Sequence, residues 1–282
     1  MEGDHDMFDP YNAHLAGTRH TISRMSRLGP DALTCRVAVP DHRNSEKPPL
    51  VAIHGLHRGA EAQASLLAPL AAVQGQMVIA PLFERDNWPH YQQVVRKRRT
   101  DLALLSALDD FAIAGVNCTD GIELCGYSGG AQFAHRFAML YPHRVARLTL
   151  IAAGWYTFPD LAPFPYGLGA PTSRHTFWQP RSIGLLGTFL SLPIRVLVGT
   201  EDDKVDENTR SGADIDAQQG RTRRERAARW VSAIEGAARE CGVQPNIKLI
   251  ELDGCGHDFR SCLAHPDALR QLFPDLELPQ AQ

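Results

Sequence analysis

Gly126-Tyr127-Ser128-Gly129-Gly130 joins two runs of opposite character. Gly121 to Cys125 before it reads as a buried strand, and Ala131 to Leu140 after it has the composition of a helix. A chain that runs strand, sharp turn, helix places the apical serine hydroxyl at the strand's end, beside the amino end of the helix. The flanking glycines let the backbone turn hard and let strand and helix pass closely. The residue after the serine then turns its N–H toward an oxyanion, aided by the helix dipole.

The rest of the chain repeats that alternation. Runs of strand type fall at 34–39, 50–54, 77–80, 145–153, 194–199 and 247–252. Segments of helical spacing fall at 60–73, 99–114, 221–241 and 265–273. Strands and helices taking turns predict an α/β fold, a mostly parallel central sheet flanked by helices on both faces. Pro81 is expected to stop the third strand. Residues 1–33 have weak periodicity and form an N-terminal arm or edge segment, leaving 34–282 as one domain. The alternation lapses between Trp155 and Arg181, where five prolines fall (159, 163, 165, 171 and 180). Seven of the chain's 21 aromatics (11 Phe, 6 Tyr, 4 Trp) fall there too, Trp155, Tyr156, Phe164 and Phe177 among them. So dense an aromatic stretch predicts a lid or pocket wall, over 155–190, laid across the carboxyl ends of the strands.

Composition narrows the classes. Lys+Arg 29 against Asp+Glu 32 gives a net charge of −3, which carries no bias toward nucleic acid. The acidic start lacks the apolar core of a signal peptide, and no run of 18 apolar residues predicts a membrane span. Six scattered cysteines read as reduced thiols of a cytoplasmic enzyme; Cys255 and Cys262 would pair only in an exported protein. HExxH and CxxC spacings are absent, and Ser128 stands where a dinucleotide loop needs a glycine, so no metal and no cofactor is expected. Oligomeric state is not legible.

A serine hydroxyl needs a base, and the base needs orienting. Thr200-Glu201-Asp202-Asp203 follows one strand, and Gly254-Cys255-Gly256-His257-Asp258 follows the last. Serine, acid and histidine thus come in the order this scaffold uses, each after a strand and so at one edge of the sheet. Asp202 is the expected acid, with Asp203 and then Asp206 as alternates. Upstream, His54-Gly55-Leu56-His57-Arg58-Gly59 ends an early strand. That loop can lend a second N–H to an oxyanion, from Leu56 or else His57, with Gly129 supplying the first. His54 reads as a structural histidine. His57, Arg58, Tyr127, Trp155 and Tyr156 are expected around the substrate, with Arg58 a candidate for a substrate carboxylate. The arginine-rich stretch from Gln218 to Trp230 reads as a charged helix start covering the site from outside.

On the HG loop, the GYSGG elbow, the G-x-x-D after a strand and the late G-x-G-H, the chain resembles the α/β-hydrolases of the esterase, lipase and depolymerase kind. The resemblance runs from about Thr34 to Phe273. It implies Ser128 as nucleophile, His257 as base and Asp202 as orienting acid, acting on a carboxylic ester, lactone or thioester of a small molecule. An acyltransferase or cyclase on the same residues, or a non-catalytic binding protein, are the alternatives. The early loop departs from the pattern, lacking the HGGG of many lipases.

Overall fold

The computed structural model describes residues 19–26, 32–95, 98–169, 178–205 and 209–276. Eight strands form one sheet: β1 (His20–Ser26), β2 (Thr34–Pro40), β3 (Leu50–Ile53), β4 (Val78–Leu82), β5 (Ile122–Tyr127), β6 (Val145–Ile151), β7 (Ile194–Gly199) and β8 (Ile247–Leu252). Their order is β1-β2-β4-β3-β5-β6-β7-β8. The first two pairings are antiparallel and all from β4 onward are parallel. The arm of the sequence reading therefore contributes an edge strand. His20-Thr21-Ile22-Ser23-Arg24-Met25 gave no signal because it is largely solvent-exposed, so neither face carries an apolar stripe.

The helices are α1 (Ala60–Val73), α2 (Thr100–Ile113), α3 (Gly129–Leu140), α4 (Trp178–Gly184), α5 (Leu186–Leu190), α6 (Ala213–Gln219), α7 (Arg223–Glu240), α8 (Phe259–Ala264) and α9 (Pro266–Leu272). They clothe both faces. Successive residues of the parallel strands alternate between two buried clusters: Leu124, Leu150, Val196 and Val198 face α2, α3 and α7, whereas Cys125, Ile151 and Leu197 face α1, α8 and α9. Strands buried on both faces read as unbroken apolar runs, which is why they were visible in sequence.

Three expectations are corrected here. Pro81 does not stop β4, which continues to Leu82. Its pairing with β3 ends at Ile79, so Pro81 lies past the ladder on that side and is tolerated there. The described part of 155–190 is a wall of the core. Tyr156 stacks on Trp230 of α7 at 4.7 Å between ring centroids, Phe164 packs on Trp178 at 4.5 Å, and Trp155 and Phe158 are buried. Pro171 and Phe177 lie outside the described residues. Arg223 and Arg226, expected outside the site, are buried at 2 % and 0 % exposure.

Candidate active site

Three loops at the carboxyl ends of β5, β7 and β8 bring the chemistry together. Ser128 is the residue between β5 and α3, with φ 52° and ψ −113°. A side chain held at positive φ is strained, and the strain presents Oγ above the sheet. The turn closes because Gly130 has no side chain: a Cβ there would lie 2.0 Å from the Ile53 carbonyl oxygen. Beyond β7, the Asp202 N–H donates to the Gly199 carbonyl at 3.1 Å. That loop is tied to the one after β8, since Glu201 N–H donates to Cys255 O at 2.9 Å and Gly254 N–H donates to Thr200 Oγ1 at 2.9 Å.

The result is a continuous chain of polar contacts. His257 Nε2 lies 3.1 Å from Ser128 Oγ, and His257 Nδ1 lies 2.8 Å from Asp202 Oδ2. A carboxylate accepts only, so Nδ1 carries the proton and Nε2 is left to accept from the serine. The Asp202 side chain is 1 % exposed and that of His257 is 24 % exposed. Tyr127 stacks on the imidazole, ring centroids 5.2 Å apart, and Phe259 backs Tyr127 at 5.3 Å. Asp203 is exposed, and Asp206 lies outside the described residues. Asp258 caps α8, accepting from the Ser261 N–H at 2.8 Å.

The loop after β3 lies across the serine. A turn from Gly55 to Arg58, closed by an N–H to carbonyl bond of 3.1 Å, has Leu56 and His57 as its central residues. The Leu56 side chain and the Tyr91 hydroxyl lie 2.9 Å and 3.0 Å from where a Cβ on Gly129 would sit. Gly129 opens α3, so its N–H has no intrahelical acceptor. His54 braces this loop. Its Nδ1–H donates to Gly55 O at 2.8 Å, and its Nε2 accepts the Phe83 N–H at 3.0 Å. Burial lowers its pKa to about 4, so the ring is neutral. His135 has the same arrangement, with Ala131 O at 2.8 Å and Thr157 N–H at 3.0 Å, and burial lowers its pKa well below the usual range.

Both histidines take up protons in the unfolded chain as pH falls below about 6.5, while the fold resists protonating them. Stability is therefore full above that pH and is lost as the pH falls toward 4. His54 alone contributes roughly 3 kcal/mol of that loss. The midpoint of urea unfolding is expected to fall across this window, and His54→Asn is expected to flatten the slope by about one proton. An unchanged slope in that variant would remove His54 from the account.

A cavity of about 490 Å³ opens over the serine. Leu56, Leu66, Tyr127 and Phe259 supply its apolar lining, Arg223 and Arg260 line it with cations, and His57 lines it with an imidazole. Of the expected substrate-side residues, His57 and Tyr127 line it and three do not. Arg58 is held by the Phe83 and Trp88 carbonyls at 2.5 Å and 3.1 Å, with its guanidinium 4.4 Å from the Tyr91 ring centroid. Trp155 packs against Arg136 at 4.2 Å, and Tyr156 packs against α7. Aromatic density announces burial and not which face is buried, so these two were misplaced.

No protein-family model matches the chain. A curated relative, the pimeloyl-[acyl-carrier protein] methyl ester esterase of Aromatoleum aromaticum, is 33% identical over 130 residues, 45% of this chain. The chain spans about half, 47%, of that relative's length. Among solved structures, LpqC, a poly(3-hydroxybutyrate) depolymerase from Bordetella parapertussis, aligns with a TM-score of 0.78 at 23% identity, covering 93% of this chain and 92% of that one. Poly(aspartic acid) hydrolase-1 from Sphingomonas sp. KT-1 aligns with a TM-score of 0.74, also at 23% identity, over 90% and 97%. This is the α/β-hydrolase fold.

Within that fold Arg223 lies at the site, where the sequence reading had it outside. Arg223 Nη1 contacts Asp202 Oδ1 at 3.1 Å, and both side chains are buried. The local signal was the helix start. Thr222 and Glu225 form a capping box that fixes where α7 begins, and Arg223 is its first residue. Among the described residues no group of three or more His, Cys, Asp or Glu is placed to hold a metal ion. No described helix is long and apolar enough to cross a membrane. All six cysteines are free thiols.

Proposed function

We propose that the chain is a cofactor-free serine hydrolase that cleaves a carboxylic ester, lactone or thioester through an acyl-enzyme. The observation that carries this reading is the unbroken contact from Ser128 Oγ through His257 to Asp202, 3.1 Å and 2.8 Å long. Ser128 Oγ attacks the carbonyl carbon as His257 Nε2 takes its proton. The N–H groups of Gly129 and Leu56 receive the oxyanion. The tetrahedral intermediate collapses, the bond to the leaving group breaks, and His257 returns the proton to it. Water, activated by the same imidazole, then releases the acid.

Two of the similar proteins are named for ester substrates, a methyl ester and poly(3-hydroxybutyrate), which supports an ester carbonyl as the reacting group. A pocket walled by the aromatic stretch would exclude water and so favour acyl transfer or cyclisation. Its described aromatics pack elsewhere, so no observation favours an acceptor other than water. Binding without catalysis gives no reason for a serine held at positive φ beside an oriented imidazole.

The test is twofold. The folded chain is expected to turn over short p-nitrophenyl esters. A fluorophosphonate is expected to form one covalent adduct, mapped by peptide mass spectrometry to Ser128. A folded chain that neither turns over esters nor labels would end this reading.

A further inference from the structure

We propose that Arg223 is a positioning residue, whose guanidinium holds the Asp202 carboxylate in line with His257 and sets a second charge beside it. The proposal rests on the hydrolase reading above. Its geometric ground is independent of any substrate: a fourth side chain continues the line Ser128, His257, Asp202 into the protein.

Asp202 has two oxygens and two partners. Oδ2 meets His257 Nδ1 at 2.8 Å, and Oδ1 meets Arg223 Nη1 at 3.1 Å. The carboxylate is 1 % exposed and the guanidinium 2 %. A buried carboxylate stays ionised only with a compensating charge, and a neutral imidazole does not supply one. Arg223 does, and pins one oxygen so that the other points at the histidine. The same guanidinium lines the cavity over Ser128, so its charge is felt where the reaction occurs. Nη1 also reaches the Lys204 carbonyl at 3.5 Å, which ties the arginine to the loop that carries Asp202.

Arg260 lines the same cavity but is exposed, whereas Arg223 is buried against the carboxylate. Tyr127 stacks on His257, and Tyr156 and Cys262 sense the Asp202 charge; burial raises all three, so they stay protonated at neutral pH. Asp258 is engaged by the N–H and hydroxyl of Ser261. Arg226, the neighbouring buried cation, is committed to the carbonyls of Gly220, Gly154 and Arg210 and to Asp216 at 3.2 Å.

During acylation His257 becomes an imidazolium beside Asp202. Arg223 opposes part of the pull that this carboxylate exerts on a positive charge at His257. Without the arginine that opposition is gone, and Asp202 loses the contact that orients it.

The experiment compares Arg223→Met and Arg223→Lys with the unmodified chain, using a short p-nitrophenyl ester and a fluorophosphonate across pH. Arg223→Met is expected to lower kcat about tenfold to a hundredfold with little change in KM, less than the loss expected on removing Asp202 itself. The acid limb of kcat/KM, and of the labelling rate, is expected to move to higher pH by about one unit. Arg223→Lys keeps the charge but not the planar fork, so the limb is expected to return to its original place while kcat recovers only in part. Variants that lose thermal stability but keep kcat and both limbs would reduce Arg223 to a structural residue and overturn the proposal. Should Arg223→Met fail to fold, Arg223→Lys decides, and an undiminished kcat there overturns it as well. An unmodified chain that labels at Ser128 but hydrolyses no ester removes the hydrolase reading alone, and the pH dependence of labelling still judges Arg223.

Discussion

Replacing Ser128 by alanine is expected to lower ester turnover by on the order of 10⁵-fold or more while leaving the fold intact. The alanine keeps the Cβ and the backbone conformation at φ 52° and removes only the hydroxyl. That hydroxyl's partner is His257 Nε2, on the wall of an open cavity, so stability should change by less than about 1 kcal/mol. His257→Ala is expected to cost a similar factor. The double variant should be no worse than either single one, because nucleophile and base act as a unit. Initial rates with p-nitrophenyl acetate, read beside circular dichroism and melting curves, check all three. A Ser128→Ala chain retaining more than about a hundredth of the original rate would show that the nucleophile lies elsewhere.

The largest expected effect on stability comes from one added methyl group. In Gly130→Ala the new Cβ would lie 2.0 Å from Ile53 O and 2.6 Å from His54 O. Both obstacles are backbone, at the end of a strand paired on both sides to its neighbours, so neither can swing away as a side chain could. The start of α3 must retreat from β3, and with it go the packing of Ala131 and Phe133 and the setting of Ser128. We expect a loss of about 4 kcal/mol or more, a large share of a typical domain's stability. Urea unfolding measures it; a midpoint within about 0.2 M of the parent would contradict the close approach drawn here.

The legible parts of this chain are those written locally. The elbow could be read because strand, glycines, serine and helix follow one another without interruption. The parallel strands could be read because burial on both faces leaves an apolar run such as Leu50-Val51-Ala52-Ile53. Asp202 and His257 could be picked out as candidates because each stands a few residues past such a run, and the structure brings them together. What could not be read depends on facing. Trp155 and Tyr156 are aromatic whether they floor a cavity or back a helix, and only the packing against Trp230 and Arg136 decides. Arg58 resembles a ligand-binding arginine until its nitrogens are found on the Phe83 and Trp88 carbonyls. Arg223 looks like one charge among five on a polar helix. Its burial against Asp202 joins positions 21 residues apart, which no local pattern encodes.

The place of β8 at the end of the strand order has a consequence for how the molecule fails. Its only ladder partner among the described strands is β7, and the loop that carries His257 hangs from it. Ser128 rises instead from β5, gripped between β3 and β6. Under heat or mild denaturant the rim of the sheet frays before its middle. On the proposed mechanism, inactivation is then expected to start as the departure of the proton acceptor from a still-presented alcohol, and cooling to restore activity for as long as the middle has held.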